Sequence, residues 1–134
     1  MLIETRHEYD YCISRGIEPL ADARFELPIA LRKSIQKEKF GGNNAQGNEK
    51  FYKFCIRHLP HQCEECLKPI EHPTAVNVSH ILSRGAHPEM AHDIRNVNFL
   101  CFEHHAKWEN GDRKSMRIWA KNERTIEKLK HEYL

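Results

Sequence analysis

The chain has 134 residues, of which 40% are hydrophobic and 30% are charged, and its mean hydropathy is −0.74. It contains no run of the about 20 apolar residues that a membrane span needs, and its N-terminus lacks the apolar stretch of a secretory signal. We therefore expect one modest cytoplasmic domain with no membrane partner, and a formal net charge of +2 is too small to indicate a nucleic-acid partner by itself.

The first part of the chain predicts two helices followed by a linker. Residues 8–15 and 29–40 form the helices, each bounded by glycine or proline. Residues 41–48, GGNNAQGN, show no apolar periodicity and predict a flexible loop. We therefore divide the chain into a helical N-terminal extension with a Gly/Asn-rich linker, residues 1–50, and a working domain, residues 51–134.

The middle of the chain predicts short elements joined by loops. Residues 51–56 are aromatic and fit either a strand or a short helix. Residues 74–80, TAVNVSH, alternate in polarity and contain β-branched side chains, which predicts a strand. A loop rich in turn formers, residues 83–95, and a short apolar run, residues 97–100, follow it.

Two helices are predicted in the last third of the chain. One begins near Phe102 and is ended or bent by Gly111. From about Lys114 onward, large apolar residues recur at helical spacing and predict an amphipathic helix that packs on the domain. These residues are Met116, Trp119, Ile126, Leu129 and Tyr133. The expected fold class is therefore α+β.

Two pairs of metal-ligating residues, CxxC and CxxH, lie in this domain. Two residues between ligands let one tight turn aim both side chains at an ion, and two such turns complete a tetrahedral zinc site. The alternatives are free buried thiols and, less favoured without a thioredoxin-like βαβ pattern, a redox CxxC pair. The total of five cysteines is odd, which argues against a disulfide framework. The ligands are Cys63, Cys66, Cys101 and His104, whereas Cys12 and Cys55 are expected to be buried.

The sequence between and after these pairs carries a resemblance to a known family. The segments are VSHILSRG, residues 78–85, and NVNFLCFEHHAK, residues 96–107. The order CxxC, His, Asn, Leu-Cys-x-x-His-His, x-Lys resembles the HNH endonuclease family over about residues 63–110. The resemblance implies a zinc-stabilised ββα-metal (HNH, His-Me finger) module, here with flanking N- and C-terminal helices. It also implies metal-dependent hydrolysis of DNA that leaves a 5′-phosphate and a 3′-hydroxyl.

The resemblance assigns catalytic roles to three residues: His80, Asn96 and His105. Hydrolysis of a phosphodiester needs a base for water and a cation for the phosphate, and histidine titrates near neutrality. His80, at a strand end, is the expected general base. His105 points about 100° away from the zinc ligand before it in the helix, so it can hold a catalytic divalent metal such as Mg²⁺. Asn96 would pin the loop to the hairpin by hydrogen bonds, and Asn98 is the competing candidate.

One position departs from the family. The residue before the first histidine is commonly Asp or His and ligates the catalytic metal, but here it is Ser79. A hydroxyl is a weak metal ligand. Asp93 is the carboxylate that could supply the missing ligand instead. The rival to a nuclease is therefore a catalytically decayed zinc module that binds nucleic acid or a partner protein without cutting.

Contacts with DNA are expected from basic residues. Arg84 and Lys107 are the candidates for phosphate contact, and residues 107–134 contain eight Lys/Arg against five Asp/Glu. His87 and His92 are expected to be loop residues only. One such site cuts one strand, so a double-strand break needs a homodimer or two events. The two tryptophans, Trp108 and Trp119, are expected in the core.

Overall fold

The computed structural model describes all residues, 1–134, and contains five α-helices and one two-stranded sheet. The predicted α+β class is confirmed. The helices are α1, Arg6–Ser14; α2, Ile29–Phe40; α3, Ala45–His58; α4, Phe102–Glu109; and α5, Trp119–Tyr133. The strands are β1, Val78–His80, and β2, Val97–Phe99. None of the helices combines the length and the hydropathy that a membrane crossing requires.

The predicted loop over residues 41–48 is wrong in its second half, because α3 begins at Ala45. The side chain of Asn44 accepts a hydrogen bond from the N–H of Gly47 (2.9 Å), which caps the helix. Gly47 and Asn48 are buried. A Cβ on Gly47 would lie 2.3 Å from the carbonyl oxygen of Gly42 and 2.6 Å from that of Phe40. Only glycine therefore lets α3 approach the end of α2 so closely.

The aromatic segment 51–56 lies within α3, so the helical alternative is the right one. Phe51 is fully buried and packs in one core cluster with residues of both strands, Val78 and Phe99. A second cluster joins α1 and α2 to residues near 20–27, and a third packs Trp108 against the CxxC and CxxH pairs. Helix α3 therefore covers one face of the sheet.

The predicted strand over 74–80 is shorter than expected. Thr74 and Asn77 form a capping box that bends residues Ala75–Asn77 into a 3₁₀ turn. Strand β1 then pairs antiparallel with β2 in the register Val78 to Phe99, Ser79 to Asn98 and His80 to Val97. The loop between the strands contains two further 3₁₀ turns, Pro88–Met90 and Ile94–Asn96. Helix α4 follows β2 directly, which gives the chain order β1, β2, α4.

Helix α5 begins at Trp119, five residues later than predicted. Its buried Asn122 pairs with the buried Asn98 of β2. The Nδ2 of Asn122 donates to the Oδ1 of Asn98 (2.7 Å), and the Nδ2 of Asn98 donates to the Oδ1 of Asn122 (3.1 Å). This reciprocal amide pair fixes α5 against the sheet because both buried amides are satisfied together.

A buried ionic network joins α2 and α5 to the loop after β1. Asp93 is fully buried, and its carboxylate accepts from the guanidinium of Arg95 (2.7 Å) and from the hydroxyl of Tyr133 (2.9 Å). The guanidinium of Arg32 on α2 lies 3.6 Å from the same carboxylate. Arg95 also pairs with Glu132 of α5 (2.9 Å). Two positive groups thus compensate the buried negative charge of Asp93.

Candidate metal centre and catalytic site

A tight turn positions the first two cysteines. The N–H of Leu67 donates to the carbonyl of Cys63 (2.8 Å), and the N–H of Cys63 donates to the carbonyl of Lys68 (2.9 Å). Leu67 has a φ of 65°. This left-handed conformation costs a non-glycine residue about 1–2 kcal/mol. The turn brings the side chains of Cys63 and Cys66 close together, and the backbone strain at Leu67 is the cost of forming it.

The other two ligands lie at the junction of β2 and α4. Cys101 is the N-cap residue of α4, and His104 lies in its first turn. The Sγ of Cys101 lies 3.2 Å from the Nδ1 of His104 and 3.9 Å from the Sγ of Cys66. The Sγ of Cys63 lies 3.7 Å from the same Nδ1. Tetrahedral zinc, with bonds of about 2.0–2.3 Å, separates its ligand atoms by about 3.5–3.8 Å. All four atoms lie within 4.8 Å of one another, so the cluster can hold a zinc ion.

The protonation of the cysteines is set by their surroundings. Burial alone would raise the pKa of the Cys63 thiol, but hydrogen bonds from the backbone of Cys66, Cys101 and Glu65 outweigh it and lower that pKa. Burial, together with the adjacent Cys63, raises the pKa of Cys101. The two sulfurs therefore resist carrying two negative charges side by side, a conflict that a divalent cation between them would remove.

The two glutamates between the first cysteines tie this cluster to the rest of the fold. The carboxylate of Glu64 accepts hydrogen bonds from the Nδ2 of Asn98 (3.0 Å) and from the backbone N–H of Phe99. The carboxylate of Glu65 accepts from the backbone N–H groups of Arg117 (2.8 Å) and Ile118 (3.0 Å), just before α5. The cysteine turn thus connects β2 with the start of α5.

His80 ends β1 and is half-buried. Its Nε2 donates to the carbonyl of Ala91 (2.9 Å) in the loop between the strands. With the proton on Nε2, the Nδ1 of His80 carries the lone pair and can accept a proton. Burial is the main cause that lowers the pKa of His80, and the positive charge of Arg84 adds to it; the hydrogen bond to the carbonyl of Ala91 and, less strongly, the carboxylate of Glu109 on α4 oppose this. The imidazole is therefore neutral at pH 7.

The buried side chain of Asn96 holds the loop that carries the hydrogen-bond partner of His80. Its Oδ1 accepts from the N–H of Leu82 (2.9 Å), and its Nδ2 donates to the carbonyls of Leu82 (2.9 Å) and Met90 (3.3 Å). Met90 directly precedes Ala91, whose carbonyl binds His80. These are the bonds that a loop-orienting role requires of Asn96. Asn98, the competing candidate, instead bonds to Glu64 and Asn122.

Three buried polar atoms on β1 and α4 have no hydrogen-bond partner: the Oγ of Ser79, the Nδ1 of His105 and the Nε1 of Trp108. Ser79 lies opposite Asn98 in the sheet, and successive strand residues point to opposite faces, so it points away from His80. Buried groups of this kind are normally completed by a water molecule or an ion. Asp93, considered as a replacement ligand for Ser79, is enclosed by its partners Arg95 and Tyr133 and does not supply one.

Of the two residues predicted to contact phosphate, Arg84 lies beside His80 and Lys107 lies on α4. Arg84 has no acidic partner, and its guanidinium carbon lies 5.7 Å from the ring centroid of Tyr52. The Nζ of Lys107 lies 3.8 Å from a carboxylate oxygen of Asp112. The ring of Tyr52 also lies 6.2 Å from that of His80, a contact that no local sequence signal indicates.

Further expectations concern histidines, tryptophans and cysteines. His87 contacts Glu89 in the loop, with 3.4 Å between Nδ1 and Oε1. His92 is more than a loop residue, since it is buried and its Nε2 bonds to the Oδ1 of Asn48 on α3 (2.8 Å). Trp108 is fully buried, as expected, and Trp119 is half-buried beside it. The same division holds for two cysteines outside the cluster: Cys55 is buried and Cys12 is half-buried.

No family model, curated protein or solved structure matches this chain. The resemblance to HNH endonucleases therefore rests on the residues quoted above and stays a prediction. The structure adds the contacts of each of those residues, and with them the chemistry that each can perform.

Proposed function

We propose that this chain is a metal-dependent endonuclease that hydrolyses DNA phosphodiester bonds with His80 as its general base. The observation that carries the proposal is the hydrogen bond from the Nε2 of His80 to the carbonyl of Ala91. It selects the tautomer whose Nδ1 is free to take a proton from water. The lowered pKa keeps this nitrogen unprotonated at neutral pH.

The surrounding residues would keep the base in one orientation. Asn96 fixes the loop on both sides of the chain reversal, at Leu82 and Met90, and so fixes the carbonyl of Ala91. The rings of Phe51 and Tyr52 lie 5.9 and 6.2 Å from the imidazole. A base held this way loses little entropy when water and substrate enter, which is the basis of its expected rate contribution.

A catalytic divalent metal is also part of the proposal. Held by His105 and by water and phosphate oxygens, an ion such as Mg²⁺ would supply positive charge to the phosphate and to the departing oxygen. The unpaired Nδ1 of His105 fits a site that needs a further ligand or an ordered water. The donor set contains few protein ligands, which is usual for Mg²⁺.

A structural role is proposed for zinc in the Cys₃His cluster. Zinc bound by Cys63, Cys66, Cys101 and His104 would contribute folding free energy, since the segments that it joins are short and irregular. Through Cys101 and His104 it would fix the start of α4, and with it His105. DNA is proposed as the substrate because the positive charge of Arg84 lies near His80 and the C-terminal region carries excess positive charge.

A second function is favoured by one observation, the serine at position 79. A module that lacks the usual ligand at this position would bind nucleic acid or a partner protein without cutting.

A cytoplasmic location, a domain boundary near residue 50 and a homodimer for double-strand cleavage also stay predictions.

The two functions are separated by nicking of supercoiled plasmid DNA during titration with Mg²⁺ and Mn²⁺. The nuclease predicts metal-dependent nicking that is lost in His80→Ala, while zinc content and melting temperature stay close to wild type. His61→Ala is the matched control, since His61 is an exposed histidine that bonds to the carbonyl of Ile56 instead. DNA binding without nicking under either metal would support the non-cutting module and overturn the nuclease.

A further inference from the structure

Helix α3 contributes a side wall to the site around His80, although it lies outside the segment that resembles HNH endonucleases. The ring of Tyr52 meets the imidazole of His80 edge-on, with 6.2 Å between centroids and an interplanar angle of 67°. Tyr52 is half-buried, and its hydroxyl makes no hydrogen bond within the protein. The ring therefore contacts the site without being fixed by a polar bond of its own.

Arg84 also lies against the ring of Tyr52. Its guanidinium carbon lies 5.7 Å from the centroid of the Tyr52 ring, within the range of a cation–π contact. Its backbone carbonyl accepts a hydrogen bond from the Nδ2 of Asn43 (3.3 Å), which anchors the loop at the start of α3. No carboxylate lies within ion-pair distance of this guanidinium, whereas Arg6, Arg24 and Arg95 each pair with an acidic group.

A guanidinium that is oriented but has no anion beside it is suited to an anionic ligand from outside. Its planar set of N–H donors binds the two non-bridging oxygens of a phosphate in parallel. A ring behind the guanidinium restricts its rotation and leaves the N–H edge free, so less entropy is lost when a phosphate binds.

We propose that Tyr52 is a positioning residue that holds Arg84 so that its guanidinium binds a backbone phosphate of the DNA strand at the His80 site. This inference rests on the proposed function for its ligand, a DNA strand. It adds that a residue of α3, outside the segment that resembles HNH endonucleases, completes the substrate site.

The test measures the affinity for a fluorescent DNA duplex by anisotropy at several salt concentrations, with no Mg²⁺ added. Arg84→Gln should weaken binding about tenfold and reduce the slope of log affinity against log salt by about one, as expected for one lost phosphate contact. Tyr52→Ala should weaken binding about two- to fivefold, the range of an exposed cation–π contact, while Tyr52→Phe keeps wild-type affinity. Lys53→Gln, an exposed charge on the same helix, should change affinity little.

The double variant Tyr52→Ala/Arg84→Gln distinguishes positioning from independent contact. If Tyr52 acts through Arg84, the double variant binds as Arg84→Gln does. The inference is overturned if the two losses multiply in full, if Tyr52→Ala binds like wild type, or if Arg84→Gln keeps the wild-type salt slope. Zinc content and melting temperature identify a variant that has failed to fold. If Tyr52→Ala fails to fold, the separate variant Arg84→Gln still tests whether Arg84 binds a phosphate, with Tyr52→Phe as its control.

The outcome is distinct from that of the nuclease proposal. Binding that depends on Arg84 and Tyr52 without any nicking would refute the nuclease and leave this inference standing. Nicking that depends on His80 but not on Arg84 or Tyr52 would support the nuclease and refute this inference. If the wild-type protein neither binds nor nicks DNA, both proposals are overturned.

Discussion

Replacement of Gly47 by alanine tests the close packing of α3 against the end of α2. The position of Tyr52 beside His80 depends on this packing. A Cβ at position 47 would lie 2.3 and 2.6 Å from the carbonyl oxygens of Gly42 and Phe40, and 3.1 Å from the Cε1 of His92. The first two contacts are with backbone, so no side-chain rotation relieves them. Helix α3 has to move away from α2 by about an ångström, as an overpacked core does.

The cost follows from that displacement. Overpacking of this kind costs about 1–3 kcal/mol, and the buried hydrogen bond from His92 to Asn48 is strained as well, which places the total near the upper end. The entropy of unfolding is about 2.1 cal/mol/K per residue, so 134 residues give about 0.28 kcal/mol/K. A loss of about 2–3 kcal/mol therefore lowers the melting temperature by about 7–11 °C.

Thermal melting followed by circular dichroism measures this effect in the zinc-loaded protein. Gln46→Ala is the matched control, since Gln46 is exposed on the same helical turn and alanine is a good helix former there. A Gly47→Ala protein that melts within about 2 °C of wild type would refute the close approach of α3 to α2 and remove the basis for a wall at Tyr52.

Three further predictions concern the base, the metal cluster and the buried network. The lowered pKa of His80 predicts that the nicking rate at saturating metal falls in acid with its midpoint below pH 6.5; a midpoint at or above pH 7 would contradict it. The purified protein should contain one zinc per chain by elemental analysis, and Cys101→Ala should lose the zinc together with the cooperative melting transition. Asp93→Asn should cost about 3–5 kcal/mol in urea unfolding because it leaves Arg32 and Arg95 partly uncompensated, whereas Glu132→Gln at the accessible end of the network should cost less than about 1 kcal/mol.

The helices were predictable where a local signal set their ends. Residues 29–40 were predicted to the residue because proline and glycine bracket them. Helix α3 was cut short because GGNNAQGN has the composition of a loop, although Asn44 is a good N-cap residue and the aromatics at positions 51 and 54 have helical spacing. Position 47 inside the helix requires glycine because the carbonyl of Phe40 leaves no room for a Cβ. The local sequence does not reveal this contact.

The candidate site divides in the same way. The four metal-cluster residues were predictable because each pair is set by one local turn and needs only to meet the other. The tautomer of His80 was not, because it depends on the carbonyl of Ala91, eleven residues away in the chain. Tyr52 was missed because its closeness to His80 results from the packing of α3 on the sheet. The network of Asp93 likewise joins groups from three distant segments.

The reciprocal amides of Asn98 and Asn122 give α5 a single rotational setting. Turning the helix by one residue swings Asn122 away by about 100°, which leaves the hydrogen-bonding groups of two buried amides unmet. An aliphatic pair would tolerate several such rotations at similar energy. The amide pair therefore determines which residues of α5 face the solvent. The direction in which Lys121, Arg124 and Lys128 face is determined in the core rather than at the surface.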